Sequence, residues 1–112
     1  MKHIFEPIGV AELDKTTNQV IKVKGVLSNN TVMSVLLPGY QLIKQLNEVV
    51  FDFEQVIYAD SSALALLLAW IRFSSRLGKK ISSIHMPRAM MEMAVTCRLE
   101  NILSVSVSKD RN

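Results

Sequence analysis

Hydrophobic and polar residues alternate from Gln19 to Leu27 (QVIKVKGVL). Val20, Lys22 and Lys24 fall on one side, and Ile21, Val23 and Gly25 on the other. A period of two predicts a strand with one wetter face. From Glu48 to Val56 the alternation gives way to Val49-Val50-Phe51 and Phe53, the pattern of a buried central strand. Between these strands, Ser28-Asn29-Asn30-Thr31 is a cluster of turn and cap residues, followed by Val32, Val35 and Leu36 on one helical face. Ile43 and Leu46 continue that face beyond Pro38-Gly39. The spacing predicts a helix ending near Leu46 that either starts at Pro38 or runs through it with a kink, because Pro38 has no N–H and crowds the preceding turn. Ile57-Tyr58-Ala59 leads into Asp60-Ser61-Ser62, after which a helix is predicted from about Ala63 to Leu77, with Gly78 as its end signal and Arg76 in its last turn.

Lys80 to His85 reads as a short strand. Pro87 suits the first turn of a helix reaching about Leu99, and Ile102 to Val107 alternates again as a final strand. Roughly His3 to Leu13 reads as an edge strand interrupted by Pro7 and Gly9. The order β, β, α, β, α, β, α, β implies an α/β domain whose later strands are parallel. The expected core comprises Val23, Val50, Phe51, Phe53, Leu64, Leu68, Ile84 and Ile102.

The helix after Asp60 carries two apolar stripes. Leu64, Leu67, Leu68 and Ile71 form one, and Leu66, Trp70, Phe73 and Leu77 form another on nearly the opposite side. Only Ala65, Ala69, Arg72 and Arg76 are small or polar. The second stripe belongs either against a neighbouring helix, with Pro87–Leu99 the nearest candidate, or against another protein, in which case Trp70 is partly exposed.

Composition narrows the function classes. The 112 residues fit one domain without repeats or linkers, and 49% apolar with 21% charged residues excludes intrinsic disorder. The longest apolar run, Ala63 to Ile71, is far short of the roughly 20 residues that cross a bilayer. The N-terminus has no signal-like apolar core, so a cytoplasmic location is expected. A net charge of +3 from 13 bases and 10 acids, with Lys79-Lys80 the one adjacent basic pair, argues against a nucleic-acid surface.

The same sequence offers no enzyme machinery. It contains no Gly-rich phosphate loop, no nucleophile–histidine pair and no metal-spaced cluster. His3 and His85 read as structural or surface residues, and Cys97, at helical spacing from Met90 and Ala94, as a small buried hydrophobe. Met90, Met91 and Met93 read as gap-fillers or as an adaptable binding face. Asp60-Ser61-Ser62 is the sharpest local feature. It caps a helix at the carboxyl end of a buried strand, where α/β proteins usually engage ligands and partners. A phosphate on either hydroxyl would meet the helix N-terminus favourably and Asp60 unfavourably.

In this setting Asp60-Ser61-Ser62-Ala63-Leu64, flanked by a buried strand and an apolar helix, resembles the signature of STAS domains, the fold of anti-sigma-factor antagonists. The order and spacing of elements agree from about Gln19 to Val107. The resemblance implies a single STAS domain over residues 1–112, with a mixed four- to five-stranded sheet, three to four helices mainly on one face, and no catalytic residue, cofactor or metal. Two branches of the family are similar. In anti-sigma-factor antagonists the turn reads Asp-Ser-Ser-Gly-Leu and its second serine is phosphorylated by a partner kinase. That position is Ser62, and Ala63 here replaces the glycine. The other branch is the small cytoplasmic STAS subunit of the Mla phospholipid-transport ABC complex, which serves outer-membrane lipid asymmetry. Val35-Leu36-Leu37-Pro38 resembles its stretch before the first helix, and Leu64-Ala65-Leu66-Leu67-Leu68 its stretch after the turn. Together they favour this branch, which implies docking on the ATPase subunit at the inner membrane. Asp60, Ser61, Ser62, Ala63, Ala65, Ala69 and Arg72 would form the contact surface, with Ser61 the hydroxyl that matters for ATPase binding. The alternative partners are an anti-sigma factor and its serine kinase.

Overall fold

In the computed structural model, which describes residues 8–16 and 18–99, four strands and three helices alternate along the chain. They are β1 (Ala11–Lys15), β2 (Val20–Leu27), α1 (Met33–Gln45), β3 (Glu48–Ala59), α2 (Ser61–Arg76), β4 (Lys80–Ile84) and α3 (Arg88–Thr96). The sheet order is β1-β2-β3-β4, with β1 antiparallel to β2 and the remaining pairs parallel. Adjacent parallel strands joined through a helix take right-handed crossovers, which bring α1 and α2 onto the same face of the sheet. The expected final strand, Ile102–Val107, and the core residue Ile102 lie outside the described residues, as do residues 3–7 of the expected edge strand, which in its described part begins at Ala11 and runs on past Leu13 to Lys15.

Strand alternation sorts the core from the opposite face. Ile21, Val23, Val49, Phe51, Phe53 and Ile81 point toward the helices and are buried with Val35, Ile43, Leu64, Leu67, Trp70 and Met90. Val50 and Ile84 fall on the other face and are half-buried, as is Leu68 on α2. Those three expected core residues are therefore peripheral, since the run Val49-Val50-Phe51 cannot send adjacent side chains to one face.

Pro38 lies inside α1 rather than at its start. Val35, Gly39 and Ile43 hold the helix against the core, while Pro38 is exposed, on a side where a carbonyl left without an N–H partner can be hydrated. The Ser28–Thr31 cluster does not cap this helix with a side chain. Thr31 instead knits the loop after β2, its Oγ1 donating to the carbonyl of Val26 (2.6 Å) and accepting from the N–H of Ser28 (2.9 Å). At the other end, Lys79 Nζ donates to the carbonyls of Ile43 (2.8 Å) and Lys44 (2.7 Å), placing a cation at the negative end of the α1 dipole. Gly78 does end α2, at φ +69°. Its N–H bonds the carbonyl of Ser75 and that of Lys79 bonds Ser74, the double closure that favours glycine at this position.

Trp70 is fully buried, so of the two readings of the second stripe the packing against a neighbouring helix holds, and the one that leaves the indole partly exposed for another protein does not. Its ring stacks on Phe51 with centroids 4.2 Å apart and planes 8° from parallel. Its Nε1 donates to the carbonyl of Leu36 (3.1 Å). Phe73 stacks on Tyr40 at 4.3 Å. Leu66, Trp70 and Phe73 of the second apolar stripe thus face α1, not the helix after Pro87, and Leu77 at its end is exposed. The approach depends on Gly39, where a Cβ would lie 2.2 Å from Trp70 Nε1 and 2.3 Å from its Cε2. Gly39→Ala should accordingly destabilise by about 1–2 kcal/mol, because overpacking against a ring fixed on both sides outweighs the gain of up to about 1 kcal/mol in helix propensity. Urea unfolding followed by Trp70 emission measures it; a stabilised Gly39→Ala would mean that the indole has room to move.

Candidate functional site

The turn between β3 and α2 is built by Asp60. Its backbone N–H donates to the carbonyl of Leu27 (3.1 Å), fixing the end of β3 beside β2, and its Oδ1 accepts from the N–H of Ser62 (2.8 Å). The carboxylate therefore satisfies one of the open N–H groups of α2 and places a negative charge at the helix's positive end. Ser61 follows as the first helical residue and is exposed. Ser62 is half-buried and Ala63 is in the core.

The two serines serve different grooves. Ser62, Ala65 and Ala69 line a groove of about 250 Å³ closed on its other side by Asn29, Val32, Met33 and Leu36, at the start of α1. It carries no charged side chain, and Met33 at its rim is 67% exposed. Ser61, Asp60 and Leu64 face the opposite way, into a wider groove of about 580 Å³ against Ala89, Glu92, Met93, Thr96 and Cys97 of the third helix and its end. Two carboxylates, Asp60 and Glu92, stand over an apolar floor there. Such a surface favours a partner segment that is apolar with a basic group, and it opposes a phosphate on Ser61.

Of the residues read from sequence, Ser62, Ala65 and Ala69 thus share one groove and Asp60 and Ser61 another. Ala63 packs inward, and Arg72 is exposed outside both linings. Ala63 is consequently a support of the turn rather than part of its surface. The walls contributed by α1 and α3 were not among the sequence candidates. Their one sequence signal was the methionine set, which the fold divides. Met90 is buried in the core, Met91 is exposed, and Met93 lines the groove. Cys97 is exposed, contrary to expectation, because α3 ends there and the Met90–Ala94 stripe does not continue. His85 sits after β4 with its Nδ1 2.9 Å from Asp52 Oδ1, while His3 lies outside the described residues. No described helix is long and apolar enough to cross a membrane.

Comparison with known proteins agrees with this architecture. A family model described as "Mlab, STAS domain" matches residues 11–104. No curated protein matches the chain. Among solved structures, the Bacillus cell-fate determinant SpoIIAA in its phosphorylated form is similar with a TM-score of 0.64 at 17% identity, covering 88% of each chain. Unphosphorylated SpoIIAA is similar with a TM-score of 0.59 at 18% identity, covering 74% of this chain and 79% of that one. An anti-sigma-factor-antagonist (STAS) domain protein from Planctomyces limnophilus gives 0.63 at 13% identity, covering 94% and 93%. At these identities the structures share the fold.

Proposed function

The chain belongs to the STAS domain family, and from that membership we propose that it is a non-catalytic interaction subunit that docks on the ATPase of an ABC-type phospholipid transporter and supports its assembly or activity. STAS domains are protein-interaction domains, found in anti-sigma-factor antagonists and in transporters. The observation that carries docking at this turn is the groove beside Ser61. An exposed serine, two carboxylates and an apolar floor lie together at the carboxyl end of β3. The Val35–Pro38 and Leu64–Leu68 stretches and the description of the matching family support a transporter partner. In this reading the chain stays in the cytoplasm and reaches the inner membrane through its partner. Asp60, Ser61, Leu64, Glu92 and Met93 form the contact, and Arg72 contributes only at its margin.

A second reading, an anti-sigma-factor antagonist switched at Ser62, has one observation in its favour. Ser62 opens onto an uncharged groove at a helix N-terminus, where a phosphate meets less repulsion than it would at Ser61. Affinity capture from the native host, with mass spectrometry of partners and phosphosites, separates the two. Recovery of a transporter ATPase with unmodified Ser62 is the expected result. Recovery of a serine kinase and anti-sigma factor with stoichiometric phosphate on Ser62 would replace the first reading with the second.

A further inference from the structure

We propose that Asp52, Glu54 and His85 form a surface site for one divalent transition-metal ion, with Zn²⁺ the best match to a donor set of one imidazole and two carboxylates. The three residues are remote in sequence, but the parallel pairing of β3 and β4 joins them. Asp52 stands in register with Ile84, His85 follows directly, and Glu54 projects from β3 on the same side as Asp52, one period along the strand. Phe51 and Phe53, on either side of Asp52, point into the core, so the cluster occupies the sheet face away from the helices and leaves both grooves free.

The geometry is close to what an ion requires. One donor atom from each residue lies within 4.8 Å of the others, and His85 Nδ1 is already 2.9 Å from Asp52 Oδ1. Around a tetrahedral ion with bonds of about 2.1 Å, donors stand about 3.4 Å apart, so rotamer shifts of about 1 Å complete the site. Asp52 is 8% exposed, with Oδ1 also accepting from the N–H of Glu54 (3.0 Å), so one ligand is held in advance. Glu54 and His85 are exposed. Lys22 stands opposite Asp52 on β2, but its ammonium makes no ion pair with the carboxylate. Imidazole among the donors selects against Mg²⁺.

The test is titration of the untagged full chain with ZnCl₂, by calorimetry and by ¹H–¹⁵N spectra, in a Cys97→Ser background that removes the exposed thiol. The expected result is one Zn²⁺ per chain, amide shifts centred on Asp52, Glu54 and His85, and no displacement by MgCl₂. Affinity should fall at least about tenfold in Glu54→Gln and in His85→Asn. Asn tolerates the left-handed backbone of His85 (φ +56°) and Glu54 is exposed, and a melting temperature taken beside each titration separates loss of a ligand from loss of fold. No saturable binding up to about 1 mM Zn²⁺, or binding that survives both substitutions, would overturn the proposal and leave the Asp52–His85 contact as a link between β3 and the end of β4.

Discussion

Phe51→Ala should lower the unfolding free energy by about 3–5 kcal/mol, which is the cost of emptying a fully buried aromatic site. The upper half of that range is expected here because the neighbours cannot close the void. Trp70, stacked on Phe51 at 4.2 Å, is tied through Nε1 to the carbonyl of Leu36 and wedged against Gly39. Collapse of the indole into the space would give up that hydrogen bond and leave it unmade in the interior. For a domain of this size each kcal/mol moves the melting temperature by about 4–8 °C, so a fall of at least about 15 °C is expected in a thermal scan. Val50→Ala, on the half-buried face of the same strand, should cost no more than about 1.5 kcal/mol. Equal losses at the two positions would mean that the faces of β3 have been assigned wrongly.

That contrast also marks how far the fold could be read from the residues. Strands β2 and β3 and helix α2 were legible because each carries its own period and its own punctuation: alternation in QVIKVKG, the Val-Val-Phe run, Asp60 at one helix end and Gly78 at the other. Which face of β3 is buried was less so, because Val50 is as apolar as Val49 and only the helices decide between them. The destination of Trp70 required knowing which helix lies beside α2. Gly39 opens the gap that receives the indole, but a glycine after a proline reads equally well as a turn. The site divides in the same way. The turn Asp60-Ser61-Ser62 is contiguous and was found. The walls of its two grooves come from Asn29–Leu36 and Ala89–Cys97, which no local pattern links to it. Asp52, Glu54 and His85 were invisible for the same reason, since only the β3–β4 register makes them neighbours.

Ser61→Arg should abolish capture of the partner while leaving the fold intact, with affinity falling at least about a hundredfold if Ser61 lies at the centre of the contact. The fold survives because Ser61 is exposed at the first helical position and its side chain does not supply the cap. Asp60 does that through the N–H of Ser62, and exposed substitutions of this kind stay within about 0.5 kcal/mol. The binding loss follows from where the new side chain goes. Asp60 and Glu92 line the adjoining groove, so a guanidinium at position 61 is drawn between them and its stem fills the volume that a partner would enter. The same pairing cancels the negative potential that favours a basic partner group. Ser62→Ala is the control, because Ser62 faces the other groove and its N–H, not its hydroxyl, bonds Asp60. In a transporter subunit Ser62→Ala binds near normally. In a phospho-switch it binds constitutively, and Ser62→Asp releases the partner. Retention of the captured ATPase by Ser61→Arg, measured beside an unchanged melting temperature, would remove the groove between α2 and α3 from the interface.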